Sequence, residues 1–327
     1  MDNDSPVGSG RAADLQHERA WQTLDKVVSS SLVEQRRARR WGVFFKLLTF
    51  TYLIVALVLL VPRDNIAGLG SKTSAHTAMV RIEGPIADQE LASANNIARG
   101  LRRAFEDKHA VAVLLAINSP GGSPVQAGQV YDEIKRLRAK YPDKKVYAAI
   151  SDLGASGAYY IAAAADQIYA DQASLVGSIG VISSSFGFTG LMQKLGVERR
   201  LFTAGENKAM LDPFSPLADE QQELWQTVID GTHRQFIARV KAGRGNRLVD
   251  DPQLFSGAVW SGEQALKLGL IDGLGSAGSV ARDVIGAEDI VDVSVGESPV
   301  KALLKNFGMS FGAGFANQLA RLNYSLQ

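Results

Sequence analysis

The sequence predicts an α/β fold with a central sheet, preceded by one membrane-spanning helix. From about residue 78 onward, apolar strand-like runs alternate with amphipathic helical stretches, a pattern typical of βαβ units. The runs Val111–Ile117 and Val146–Ile150 are unbroken apolar stretches, as expected for strands that helices cover on both faces. Earlier in the chain, Trp41–Val61 is almost entirely apolar.

Composition narrows the class of protein. Of 327 residues, 46% are hydrophobic and 21% are charged, which fits a globular chain, and the net charge of +1 argues against a role in nucleic-acid binding. There is no cysteine, so disulfides, thiol nucleophiles and cysteine metal sites are excluded. The lack of cysteine does not indicate whether the protein works in a reducing or an oxidising compartment.

The stretch 41–61 is the predicted transmembrane helix, and residues 1–40 form a polar tail before it. Its 21 residues carry a single charge, at Lys46, and at about 1.5 Å per residue they can cross ~30 Å of hydrocarbon. Four arginines lie just before it, so the positive-inside rule places the N-terminus in the cytoplasm and the rest outside. A cleaved signal peptide is the competing reading, but no small-residue cleavage site follows.

Behind the predicted anchor, residues 62–77 are expected to be a linker, 78–297 the globular domain and 298–327 an unassigned tail. The predicted strands and helices alternate. The strands are Met79–Ile82, Val111–Ile117, Val146–Ile150 and Gln167–Ala170; the helices are Glu90–Glu106, Val125–Lys140, Ser156–Ala165, Asp219–Lys241 and Glu263–Leu268.

Ser156 lies in the stretch Ser151–Ile161, which reads SDLGASGAYYI between a predicted strand and a helix of small residues. Glycines at 154 and 157 permit a tight turn and leave room for a substrate beside the hydroxyl, and the first helix amides could face an oxyanion. This geometry suits a nucleophilic serine. An ordinary serine N-cap would suit the same residues.

Three further stretches carry candidate chemistry. Residues 119–124 read SPGGSP after a strand, and the glycine pair that includes Gly122 suits either an oxyanion hole or a plain loop. Lys208 stands among apolar residues that could desolvate its amine and make it a base, although most lysines lie on the surface. Ser178, in the stretch VGSIGV, could orient that amine or simply belong to a turn.

Histidine, metal and nucleotide chemistry have little local support. None of the four histidines is embedded in a glycine-rich motif, although His109 or His233 could approach Ser156 in space. The Gly-x-Gly-x-x-Gly match at Gly273–Gly278 comes late in the chain and is better explained as a helix-capping turn. No P-loop, HExxH or EF-hand pattern occurs, so the sequence implies no cofactor and no metal.

Taken together, the motifs INSPGGSP, SDLGASGAYYIAAAAD, VGSIGVI and GENKAMLDPF resemble the signal peptide peptidase A family of membrane-bound serine peptidases. The likeness runs from about residue 78 to residue 273. It implies a crotonase-like and Clp-like α/β fold, an anchor in the bacterial inner membrane, an extracytoplasmic (periplasmic) catalytic domain and assembly into a homo-oligomer.

The resemblance also implies a role for each motif residue. Ser156 matches the nucleophile and Lys208 the general base of a Ser-Lys dyad. Gly122 and Gly157 match the positions whose amides bind the oxyanion, and Ser178 is similar to the serine that orients the lysine. A protonated lysine cannot act as a base, so activity should rise from neutral to alkaline pH. The chain looks like the short form of the family, whose complete sites would depend on a multimer.

The expected substrates are extended peptides bound along a strand edge near Ser119–Ser123, with signal-peptide remnants as the class that the resemblance implies. Three alternatives remain open: a peptidase of the same fold acting on a specific membrane protein, an inactive peptide-binding scaffold, and an acyl-CoA enzyme of the crotonase fold. The intact Ser156 and Lys208 argue against the scaffold, and an extracytoplasmic domain argues against CoA chemistry.

Overall fold

The structure is a computed structural model that describes residue 37 and residues 39–56 and 74–296. The chain divides into two units, residues 1–66 and 67–327. In the first, residues 39–56 are helical. Within the described ranges, no helix combines the length and the apolar character that crossing a membrane requires. Part of the predicted membrane segment, residues 57–61, lies outside the described residues, as do the tails 1–36 and 298–327.

The second unit is an α/β domain whose described part contains an eight-stranded sheet. The strands are β1 (His76–Glu83), β2 (Ala110–Ser119), β3 (Val146–Ala155), β4 (Gln167–Ala170), β5 (Leu175–Gly177), β6 (Val259–Ser261), β7 (Gly273–Leu274) and β8 (Ile290–Asp292). The α-helices are α1 (Ala94–Glu106), α2 (Pro124–Lys140), α3 (Gly157–Ala162), α4 (Thr189–Leu195), α5 (Asp219–Arg244), α6 (Gly262–Lys267) and α7 (Ala277–Ser279), the last continued by a short π-helix, Val280–Ile285.

The sheet runs in the order β6-β5-β3-β2-β1-β8, and every pair is parallel except β5 with β6. Strand β3 has different partners along its length. Its residues 147–150 pair with β4, which continues to β7, and its residues 153–155 pair with β5. The end of β3 therefore lies between β2 and β5, and Ser156 follows it there.

The central strands are covered on both faces, as their apolar runs predict. In β2, Val113 and Leu115 point into the main core together with Leu101 of α1. The intervening Leu114 packs on the other face against Ala149 and Val280. Because alternate residues of a strand face opposite sides of the sheet, a strand buried on both sides must be apolar throughout. The predicted α/β class with a central sheet is confirmed.

Several elements differ from their predicted bounds. β1 starts at His76 rather than Met79, because the first two residues of the strand are buried and the Thr77 hydroxyl donates to the Ala287 carbonyl over 2.7 Å. α1 starts at Ala94 rather than Glu90, since the side chain of Gln126 accepts a hydrogen bond from the Ala94 amide at 2.7 Å and so satisfies the first turn.

Candidate active site

Ser156 occupies the sharp turn between β3 and α3 in a strained backbone conformation, with φ of +54° and ψ of −125°. Residues other than glycine rarely adopt positive φ, and the strain persists only where neighbouring contacts enforce it. Two hydrogen bonds do so: the Ser156 amide donates to the Gly177 carbonyl at 2.8 Å, and its carbonyl accepts from the Tyr160 amide at 3.0 Å.

The Ser156 hydroxyl is not a helix cap. Ser156 occupies the N-cap position of α3, but its side chain accepts no hydrogen bond from the first turn of the helix. The residue is only partly buried, between the buried Ala155 and Gly157. The hydroxyl is thus left for other chemistry, while the turn that carries it is fixed by its backbone.

A glycine loop (residues 119–124) lies directly against this turn. Gly121 has φ of +90°, and a Cβ atom added there would lie 2.5 Å from the Gly157 nitrogen and 2.8 Å from the Ser156 Cβ. At Gly122 an added Cβ would lie 2.2 Å from the Ile86 carbonyl oxygen. Real side chains do not tolerate such distances, so only glycine allows the loop to approach both the serine and Ile86.

Ile86 clamps the glycine loop in place. Its amide donates to the Gly121 carbonyl at 2.9 Å, and its carbonyl accepts from the Ser123 amide at 2.8 Å. Ile86 cannot be recognised as a site residue from the sequence, because it acts through its backbone and its side chain is that of an ordinary core residue. Ile86 thus holds the loop by two backbone hydrogen bonds.

The amides of Gly122 and Gly157 lie close together beside Ser156. A Cβ atom added at Gly157 would be 3.3 Å from the Gly122 nitrogen, and Gly122 itself is exposed. Within the described part of the chain, neither amide donates to a backbone carbonyl. Two backbone donors without backbone partners next to a serine are groups that suit the binding of an oxyanion.

Ser178 lies on the other side of the turn. It directly follows Gly177, whose carbonyl holds the Ser156 amide, and it also has positive φ, +50°. Its own amide donates to the Ala258 carbonyl at 2.8 Å, next to β6. The structure therefore brings Ser156, Gly122, Gly157 and Ser178 into one neighbourhood.

Lys208 makes no hydrogen bond to this cluster within the described part of the chain. It is exposed and lies in a turn in which its amide donates to the Gly205 carbonyl at 3.2 Å. Among the hydrogen bonds of the described residues, none joins its ammonium group to Ser156 or Ser178. The turn belongs to residues 182–217, which we call the arm.

Comparison with known proteins places the chain in a family. Residues 138–287 match the family model described as peptidase family S49. A protein of Synechocystis named as a protease is 34% identical over 212 residues, which are 63% of this chain and 72% of that protein. The chain belongs to peptidase family S49.

Other relatives of this S49 chain differ in length. A protein of Enterococcus faecium named as a signal peptide peptidase SppA is 30% identical over 65% of this chain and 61% of that protein. A protein of Brucella melitensis named as the Na(+)/H(+) antiporter NhaA is 51% identical over 57% of this chain, but the match spans only 25% of that protein. The transport activity in that name refers to that larger protein.

The two histidines that could replace Lys208 in this S49 chain lie in different places. His109 precedes β2, whose far end carries the glycine loop; ten residues at about 3.3 Å each separate the two ends by ~30 Å. His233, on α5, has its Nε2 atom 3.1 Å from the Ile179 carbonyl, one residue after Ser178. His233 is therefore the histidine that a test of the base must include.

Tyr159 anchors the helix that follows the serine of this S49 chain. It is fully buried, and its hydroxyl donates to the Leu270 carbonyl at 2.6 Å. Burial raises the pKa of this phenol well above its usual range, so it remains a neutral donor. From the sequence alone, the residue cannot be distinguished from an ordinary core residue.

In the described residues, no group of three or more His, Cys, Asp or Glu side chains could hold a metal ion.

Proposed function

We propose that the chain is a serine endopeptidase with Ser156 as its nucleophile. The observation that carries the proposal is the strained turn at Ser156, whose hydroxyl caps no helix and whose neighbours Gly122 and Gly157 present unused amides. A nucleophile held at a tight strand-to-helix turn beside two backbone donors suits acyl transfer. Membership of family S49 supports the same chemistry.

The proposed reaction begins when Ser156 Oγ attacks the carbonyl carbon of the scissile peptide bond and its proton passes to the neutral Nζ of Lys208. The amides of Gly122 and Gly157 donate hydrogen bonds to the oxyanion of the tetrahedral intermediate. The C–N bond then breaks as the leaving amine takes the proton from Lys208. A water molecule then gives a proton to the Nζ atom of Lys208 and attacks the acyl-enzyme. The acid product leaves as Ser156 Oγ takes that proton back from Lys208.

In this proposal, Lys208 reaches Ser156 from a second copy of the chain. The structure supports it in two ways: Lys208 is exposed in the arm, and no residue between 182 and 235 is buried. The arm and the adjoining start of α5 expose many large apolar side chains, among them Ile182, Phe186, Leu195 and Phe202. Monomers rarely leave so much apolar surface uncovered, which favours a homo-oligomer.

The proposed substrates are extended peptides that pair with a strand edge near the glycine loop, where Val125 is 64% exposed and offers an apolar contact. Cleaved signal peptides are our first candidate, and a specific membrane protein is the second. Residues 41–61 would anchor the chain in a membrane, and the catalytic domain would act on the extracytoplasmic side. We also propose that the domain has a crotonase-like or Clp-like fold.

The test is hydrolysis of a fluorogenic peptide with an apolar P1 residue by the full-length chain. Wild type should cleave, and Ser156→Ala and Lys208→Ala should fall to background while keeping their oligomeric state. Lys194→Ala, a matched control that removes another exposed lysine of the arm, should remain active. Activity in Lys208→Ala would move the base to His233, and an inert wild type would favour the scaffold.

A further inference from the structure

Ser119 lies beneath the glycine loop and has no part in the reaction described above. It is the last residue of β2, is 0% exposed and pairs with Gly154 of β3. Its Oγ atom accepts a hydrogen bond from the Gly121 amide at 3.1 Å. No substrate could touch a side chain that is so completely buried, so any influence on chemistry must pass through the loop.

The two peptide groups on either side of Gly121 are held by different partners. The amide of Gly121 belongs to the first peptide and is held by Ser119 Oγ, whereas the carbonyl of Gly121 belongs to the second and accepts from the Ile86 amide. In a trans peptide the N–H and C=O groups point in opposite directions. Because the Gly121 carbonyl faces Ile86, the N–H of Gly122 in that same peptide points away from Ile86.

The relative orientation of the two peptides is set by the φ and ψ angles of Gly121, of which φ is +90°. Glycine has no intrinsic preference for that value over many others, so the angle is set by the contacts on both sides. Without an acceptor at Ser119, the first peptide would be free to rotate and would leave a buried N–H without a partner. The Gly122 amide would then shift with the loop, and a hydrogen bond weakens steeply when it is misaligned.

We propose that Ser119 is a positioning residue of the oxyanion site: its hydroxyl oxygen holds the Gly121 amide and thereby aims the Gly122 amide at the developing oxyanion. This proposal rests on the proposed peptidase function, since it assigns a task to a residue behind that site. It predicts a defect in the chemical step rather than in peptide binding, because the Gly122 hydrogen bond matters most in the transition state.

The test compares Ser119→Ala and Ser119→Cys with wild type in the full-length chain. Cysteine nearly conserves the buried volume but is a weak acceptor, so it keeps the test decisive if the alanine variant fails to fold. The matched control is Thr77→Val, which removes another buried hydroxyl hydrogen bond, to Ala287, at the opposite end of the sheet. The measurements are kcat, KM and the inhibition constant of a peptide boronate.

Both Ser119 variants should lower kcat about tenfold, less than the ~10²–10³-fold cost of deleting an oxyanion donor, and leave KM within about twofold. The boronate should lose affinity by the factor lost in kcat/KM, because it mimics the tetrahedral state. Thr77→Val should match wild type.

A kcat equal to that of Thr77→Val, or a rise in KM alone, overturns the positioning role and leaves the peptidase function standing. A wild type that neither cleaves peptides nor binds the boronate overturns both.

Discussion

Within the glycine loop, Gly121 makes the closest approach to the Ser156 turn, so a small change there should have a large effect. Gly121→Ala places a methyl group at positive φ and within 2.5 Å of the Gly157 nitrogen, an atom that cannot move without moving the turn. We expect a loss of about 100-fold or more in peptide hydrolysis, together with destabilisation of ~1–3 kcal/mol. Calorimetry and the hydrolysis assay measure the two effects.

The control is Gly128→Ala, on the neighbouring helix α2. An added Cβ there meets only the Tyr160 hydroxyl, at 3.8 Å. Alanine is the better helix former, so this variant should unfold at the same or a higher temperature, with a gain of up to ~1 kcal/mol, and keep its activity. If both alanine variants behave alike, the close approach at Gly121 has no special role.

At the residue scale, the sequence could predict what is encoded locally. Ser156, Gly122 and Gly157 come together because glycine-framed turns follow adjacent parallel strands, β2 and β3, whose ends meet at one edge of the sheet. The contribution of Ile86 could not be predicted, since backbone hydrogen bonds leave no mark on residue type. The partner of Lys208 could not be predicted either, because its contacts within one chain do not include the serine.

Between helices α1 and α2, Glu133 receives hydrogen bonds from Arg136 at 2.7 Å and from Arg102 of α1 at 2.7 Å. The Arg136 guanidinium, aided by Arg102 and opposed by burial, lowers the pKa of Glu133 to about 2. The folded pKa is below the unfolded one, so the stabilisation is complete above a pH of about 4.5 and is lost as pH falls toward about 2.

Glu133→Gln should therefore reduce the free energy of unfolding by up to ~1 kcal/mol near neutral pH, since both arginines are half exposed to solvent. The difference from wild type should shrink as pH is lowered from about 6 to about 2.5. Urea unfolding at each pH measures it. Glu223→Gln, whose carboxylate has no ion-pair partner among the described residues, should show no such trend; a constant difference for Glu133→Gln would contradict the assignment.

At the element scale, long periodic segments were predictable and short ones were not. The helix predicted at Asp219–Lys241 is present as Asp219–Arg244, and the buried strands β2 and β3 lie in the centre of the sheet. The strands β5 and β6 have only three residues each, too few to show a period. Their pairing depends on contacts between distant parts of the chain, including the Trp260 ring against Gly177.

For the whole molecule, the proposed sharing of each site between copies makes a distinctive prediction. Ser156→Ala and Lys208→Ala should each be inactive alone. When the two variants are mixed under conditions that exchange subunits, about one quarter of the sites should combine an intact serine with an intact lysine, and activity should return to that extent. If both residues of a site come from one chain, the mixture should stay inactive.

The exposed position of Lys208, which makes no hydrogen bond to Ser156 within one chain, also bears on when such an enzyme is active. Under the proposed assembly, a single newly made copy is latent, as a zymogen is, and becomes active when it meets a second copy. Dilution would switch the enzyme off and crowding would switch it on, so its specific activity should rise with its own concentration. The arm that carries Lys208 would then both supply a catalytic group and make activity depend on the concentration of the enzyme.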